Sequence, residues 1–248
     1  MKPLRLRCIA CDVLARPVYR AAAQSPQVVD VALQHYGLHR TPAKLRQSLQ
    51  KEIDQTKAAD GYDAVVLAYG LCGQATAGLR AGELPLVLPR AHDCITLFLG
   101  SRGRYHEQFQ SCPGTYWYVQ DFVERTEGEP GALSIGAISS ADSDALYAEY
   151  VAKYGQDNAD YLMEALSTWQ AHYERAGYIE MDGAGERLAL AKAQQDAAEN
   201  GWRFERLAGD LVLIRKLLAG DWDGDFLVLE PGQQVRMADG DAIIEAVN

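Results

Sequence analysis

The run Ala64-Val-Val-Leu-Ala68 is apolar at every position and constrains the fold more than any other stretch of the chain. A strand with one wet face alternates apolar and polar residues. An unbroken aliphatic run predicts a strand covered on both faces, as in a parallel sheet. Leu4 to Ala10 and Val28 to Leu33 read as strands before it, and Leu84 to Leu88 and Thr115 to Val119 as strands after it. Helical patterns lie between them. One short helix begins near Pro17, and a longer one opens at Thr41-Pro42 with Leu45, Leu49 and Ile53 at four-residue spacing. A short helix is expected after the Gly-rich turn that follows Ala68, and Ile95–Leu99 and Tyr105–Phe109 also look helical. Strand and helix in alternation predict an α/β fold: a parallel-sheet, Rossmann-like lobe or lobes with a helical insertion.

Residues 1–126 are expected to form an N-terminal α/β lobe. The segment 127–140, with Gly128, Pro130, Gly131 and Gly136, reads as a linker or long loop, and 141–248 as a helical and α/β lobe. In that last part, helices are predicted at Ala141–Lys153, at Asn158–Arg175 with Asp157 as N-cap, at Glu186–Glu199 and at Leu211–Leu218. Strands are predicted at Tyr178–Met181, Trp202–Arg206 and Phe226–Leu229, with Val235–Met237 returning as an antiparallel edge after Pro231-Gly232.

The 24 Lys and Arg against 34 Asp and Glu, net −10, speak against nucleic acid or an anionic membrane as a partner. No run of about 18 apolar residues predicts a membrane span. The start MKPLRLRCIACDVL is too interrupted for a signal peptide, so a cytoplasmic location is expected. In a reducing compartment an odd number of cysteines in a long chain is not a disulfide framework. Cys8, Cys11, Cys72, Cys94 and Cys112 are therefore left for packing, metal ligation or catalysis. A small-molecule substrate and a homodimer are the expected partners.

Three segments place soft donors just beyond predicted parallel strands: Ile9-Ala-Cys11, Ala68-Tyr-Gly-Leu-Cys72-Gly73 and Pro89-Arg-Ala-His92-Asp-Cys94. Ligands of open α/β sheets bind beyond the carboxyl ends of the strands, so these loops are expected to converge. Cys11, Cys72, His92 and Cys94 then form a set of thiolates and an imidazole, donors that select zinc or iron–sulfur clusters over magnesium and calcium. With three of them bound, zinc keeps an open position; with three cysteines on a [4Fe-4S] cubane, one iron does. Asp93 and Arg90, within the same loop, are the candidate catalytic side chains. Arg90 and Arg102 suit a carboxylate or phosphate, or surface ion pairs.

Other assignments compete. Cys8 and Cys112 read as packing, which makes Cys8-Ile-Ala-Cys11 a weak C-x-x-C motif. His39 suits either the crevice or a cap for the helix at Pro42, and Tyr69, Tyr105, Tyr116 and Trp117 suit core, rim or pocket wall. Gly70-Leu71-Cys72-Gly73 resembles the strand–nucleophile–helix elbow of a cysteine hydrolase. There, Gln74 stands where a glycine is usual, and His92 would be the base. No dinucleotide or Walker fingerprint is present.

Together, Ala68–Gly73, Pro89-Arg-Ala-His92-Asp-Cys94-Ile-Thr-Leu-Phe-Leu-Gly100 and Pro113-Gly-Thr-Tyr116 resemble the bacterial and archaeal family called domain of unknown function 1638. Gly209-Asp-Leu and Phe226–Gly232 extend the resemblance over most of the chain. It implies a metal-suited set at Cys11, Cys72, His92 and Cys94, and an association with corrinoid-dependent methyl transfer in one-carbon metabolism. A zinc enzyme acting on a small thiol or methylated substrate is the leading expectation. A [4Fe-4S] protein, a structural-metal partner of corrinoid or methyltransferase proteins, and a cysteine hydrolase are the alternatives.

Overall fold

The computed structural model describes residues 2–125, 147, 151, 155–156, 173–181 and 188–248. The expected linker at 127–140, the cap Asp157 and the bodies of the helices expected over 141–153 and 158–175 lie outside these, except that Tyr147 and Val151 are helical. The chain divides into two compact units, Met1–Tyr105 with Asp210–Asn248, and His106–Gly209.

In chain order, the first unit begins with β1 (Arg5–Cys11), α1 (Ala15–Gln24), β2 (Val28–Gln34), α2 (Pro42–Gln55), β3 (Ala64–Ala68), β4 (Leu86–Pro89) and α3 (Cys94–Leu99). Then α4 (Arg102–Ser111) leads to β5 (Thr115–Val119), α5 (Gln120–Arg125), β6 (Arg175–Glu180), α6 (Leu188–Asn200) and β7 (Arg203–Ala208). The chain closes with α7 (Val212–Ala219), β8 (Phe226–Leu229), β9 (Gln234–Met237) and β10 (Ile244–Val247).

The first unit is built on a sheet of order β2-β1-β3-β4-β8, parallel except for β8, which runs antiparallel to β4. This is the parallel-dominated, Rossmann-like α/β fold that the alternation predicts. All five residues of β3 are buried, as its unbroken apolar run requires. Leu45, Leu49 and Ile53 of α2 pack on Ile9, Val65, Leu67, Leu86 and Leu88. Each such side chain taken out of water contributes about 1.5–3 kcal/mol. Elsewhere α1 and α7 pack on each other, α1 also against β1 and β2, and α7 against β3 and β4. Neighbouring Cys8, Ile9 and Ala10 are all fully buried, so β1 too is covered on both faces.

Two local expectations are corrected. No helix follows β3: Cys72, Gly73 and Gln74 take successive left-handed conformations, φ +47°, +61° and +72°, which a right-handed helix cannot accommodate. And Arg175 opens β6 instead of closing a helix. The antiparallel edge expected at Val235–Met237 exists as β9, and its partner is β10.

The second unit holds a parallel sheet of order β5-β6-β7. Alanines 189, 193 and 197 of α6 lie against Tyr118, Ala176 and Tyr178, small side chains allowing close approach. Arg175, 1% exposed, pins the strands by bonding Thr115 Oγ1, Gln108 Oε1 and Glu205 Oε2, each at 2.8 Å. Among the described residues no helix is long and apolar enough to cross a membrane.

Candidate functional site

The strand order sets where a ligand can sit. From β1 the chain passes to β2 on one side, then crosses back past β1 to β3 on the other, so the direction of winding reverses between β1 and β3. In open α/β sheets this switch point, at the carboxyl ends of the strands, is where the crevice opens. Register places Ala10 of β1 beside Ala68 of β3. Cys11 therefore ends its strand level with Tyr69, and Cys72 follows in the adjoining loop. The loop after β4 is stitched to it: Leu71 N–H donates to Ala91 O at 2.8 Å and Cys72 N–H to His92 O at 2.9 Å.

Gly70 permits that approach. A Cβ on it would stand 2.6 Å from Asp93 N, 2.7 Å from its Cα and 2.9 Å from His92 C, so only glycine fits. The contact also holds Cys72, a non-glycine residue, in a left-handed conformation that costs on the order of 1 kcal/mol or more and is seen mainly where the surroundings enforce it.

The three sulfurs of Cys11, Cys72 and Cys94 lie within electrostatic reach of one another. Burial, above all, pushes the Cys72 thiol well above its ordinary value, and the neighbouring Cys11 and Asp93 push the same way. The Cys94 thiol is likewise raised well above normal by burial, then by Asp93, Cys72 and Cys11. All five cysteines are free thiols. Such a pocket holds sulfur as neutral thiol until a cation arrives to offset the charge. Among the described residues no three His, Cys, Asp or Glu side chains already stand in a metal-holding arrangement. A metal held here would require the side chains of these three cysteines to adjust.

Beside the sulfurs lies Tyr69, 2% exposed, whose hydroxyl feels Cys11, Cys72 and Asp12. Burial raises its pKa far above the ordinary phenol, so it stays protonated. That buried oxygen makes no hydrogen bond of normal geometry. The hydroxyl thus lies near the sulfurs of Cys11 and Cys72 without a hydrogen bond of normal geometry to either.

The remaining sequence candidates occupy other roles. The His92 side chain is exposed, its ring 5.8 Å from that of Tyr105, and only its carbonyl joins the stitch. Asp93 caps α3: Oδ1 accepts from Ile95 N at 3.0 Å and Thr96 N at 3.3 Å, and Oδ2 accepts from the Tyr105 hydroxyl at 3.2 Å. Burial raises its carboxyl pKa and the cap bonds pull against that. The Arg90 guanidinium donates to Ala242 O and Ile244 O, tying down the start of β10. Arg102 bonds Asp225 Oδ1 and the carbonyls of Gly224 and Asp241. His39 sits in a 3-10 turn, Tyr36–Arg40, where burial lowers its pKa. Tyr116 and Trp117 belong to β5 of the second unit. Cys8 is fully enclosed in β1 and its thiol is pushed up to about 12, while the Cys112 thiol faces Gly114 O at 3.8 Å; both are packing residues.

Sequence reasoning missed Gly70 and gave Tyr69 no more than a wall. The signal for Gly70 was present: a glycine two residues beyond the end of an unbroken apolar strand, where the chain must turn. A separate open cavity of about 650 Å3 lies over β1 and β2, lined by Arg5, Arg7, Tyr19, Asp30 and Tyr62 among others. Its polar groups are already paired, Arg5 and the Tyr62 hydroxyl both with Asp30, at 2.9 and 3.0 Å.

Fold and site together define a parallel-dominated α/β protein with Cys11, Cys72 and Cys94 on the loops beyond the carboxyl ends of β1, β3 and β4. The chain belongs to the family described as Protein of unknown function (DUF1638), whose model matches residues 33–218. Cys72, His92 and Cys94 lie within that span and Cys11 before it. No curated protein and no solved structure matches the chain.

Proposed function

We propose that Cys11, Cys72 and Cys94 are the ligands of a soft metal ion, zinc first, with one coordination position left open for a small thiol or methylated substrate. The observation that carries this reading is the convergence of three cysteine sulfurs, from the ends of three adjacent parallel strands, beside an orphaned phenol. Three thiolates are a suitable donor set for zinc, and when bound the metal supplies a cation that holds a substrate thiol as thiolate at neutral pH. The chain's own residues do the rest. Gly70 lets the loops meet, Asp93 fixes the start of α3 and so the position of Cys94, and Tyr69 borders the sulfurs. The exposed His92, its ring tilted against the half-buried Tyr105, marks the side on which a substrate would arrive. The class of reaction is transfer or lysis at a small sulfur or one-carbon centre, in the reducing cytoplasm, where free thiols persist. A corrinoid or methyltransferase protein is the proposed partner, on the strength of the family resemblance.

A second reading has one observation in its favour. With the imidazole of His92 on the exposed side, the donor set is sulfur alone, which suits three cysteines on a [4Fe-4S] cubane with one iron open. The hydrolase reading loses its main support, because no helix follows Cys72 to lower its pKa and burial raises it instead.

Elemental analysis of protein purified without a polyhistidine tag, in air and anaerobically, separates these. Near-stoichiometric zinc in colourless protein is the expected result. Brown anaerobic protein with broad absorption and bound iron would select the cluster, and metal-free protein from both preparations would overturn the proposal.

A further inference from the structure

We infer that Tyr69 is a hydrogen-bond donor built for the metal-bound sulfur of Cys11, already its neighbour in the metal-free chain, and that the bond reaches normal geometry only in the loaded protein. The inference rests on the metal reading above and goes beyond it by assigning a residue that tunes the centre. A buried hydroxyl without an acceptor is costly, and native proteins rarely keep one without a reason. Tyr69 keeps one at 2% exposure, immediately after β3, where it faces Cys11 and Cys72. Neither the packing of its ring nor the fold of its strand needs that oxygen, because phenylalanine would fill the same space. A neutral thiol is a weak acceptor, whereas a metal-bound thiolate is a strong one. The orphan is thus satisfied when the sulfur of Cys11 carries its negative charge to a metal. The bond then withdraws electron density from that sulfur, as hydrogen-bonded ligands do in other metal sites, where losing the donor weakens metal binding roughly 10–100-fold. Asp12 cannot substitute for Tyr69 as donor. Its Oδ1 already accepts from Tyr36 N–H at 2.9 Å, and a carboxylate beside a thiolate repels it.

The test compares wild type with Tyr69→Phe, using Co2+ as the probe. Thermal melting of the metal-free proteins is read first. Tyr69→Phe is expected to melt at the same temperature as wild type or higher, because it removes an unsatisfied buried oxygen. Co2+ titration is then followed in the thiolate-to-cobalt charge-transfer band. The variant is expected to bind roughly tenfold more weakly, with the band moved to longer wavelength, because a thiolate without its hydrogen bond gives up charge more easily. A purely structural tyrosine would give the opposite pattern, lower metal-free stability with unchanged binding and band, and that result overturns the inference. Unchanged affinity and band at any stability overturn it as well while leaving the metal centre in place. A wild-type protein that binds Co2+ with no thiolate band removes both the inference and the metal reading beneath it.

Discussion

Gly70 lies directly against the backbone of Asp93, so close that a Cβ on the glycine would come within 2.6 Å of the Asp93 nitrogen. That contact joins the loop after β3 to the loop after β4 and carries Cys72 and Cys94 into one neighbourhood. Gly70→Ala leaves every sulfur and imidazole in place and pushes the loops apart. It is expected to lower stability by about 1–3 kcal/mol, as overpacking does. It is also expected to lose bound metal, read by thermal melting beside elemental analysis. A variant that keeps its metal would show that the stitch between the loops is not what assembles the site.

Asp93 is placed to act through structure. Removing its carboxyl in Asp93→Ala strips the cap from α3 and should cost about 1 kcal/mol. Asp93→Asn keeps an oxygen for the Ile95 and Thr96 amides. Burial raises the carboxyl pKa of Asp93, and a neutral amide avoids that desolvation cost. Denaturant unfolding at neutral pH should therefore rank the asparagine variant near wild type and the alanine variant clearly below both.

Alkaline pH should destabilise the metal-free protein through its buried thiols. The Cys8 thiol rises from an ordinary 9.0 to about 12 on folding, so between those values the unfolded chain releases a proton that the folded chain keeps. Stability is complete below pH 9 and falls as pH rises towards 12, by up to about 1.4 kcal/mol per pH unit for each such thiol. Cys8→Ala removes one proton's share of that slope. Urea unfolding across neutral to alkaline pH checks it, and an unchanged slope would mean that Cys8 is not held as a neutral thiol.

Arg175 stabilises the second unit by joining β6 to Thr115, Gln108 and Glu205 from within the core. Arg175→Ala leaves Thr115 and Gln108 without their donor, while the partly exposed Glu205 keeps Arg203 at 3.0 Å, and is expected to cost about 1–3 kcal/mol. Faster amide hydrogen exchange across β5, β6 and β7 is the readout.

The strands were the legible part of this sequence, because burial on two faces writes a continuous apolar run rich in β-branched residues and bounded by turn residues. β3 is the clearest case. The donor set was half legible. Cys11, Cys72 and Cys94 follow predicted strands, and a parallel sheet brings strand ends together whatever the loops do. The direction of each side chain within a tight loop depends on individual φ values, and those were not readable. Nothing in Cys-Gly-Gln announces three left-handed residues in succession, so a helix was expected where none exists. The same limit applies to His92, which sits two residues from Cys94 yet turns outward, and to Asp93, whose cap role needs a helix that starts at the very next residue. β10 was invisible because Ile244–Val247 has only four residues and finds its order by pairing with β9.

The most direct measurement is a zinc-binding comparison across single cysteine variants of the full chain, by elemental analysis after equilibration with excess zinc and desalting. Wild type, Cys8→Ala and Cys112→Ala are predicted to retain near-stoichiometric metal, and Cys11→Ser, Cys72→Ser and Cys94→Ser each to lose most of it while still folding. Retention by all three serine variants, or loss on changing Cys8 or Cys112 alone, would contradict a centre held by sulfurs at the ends of β1, β3 and β4.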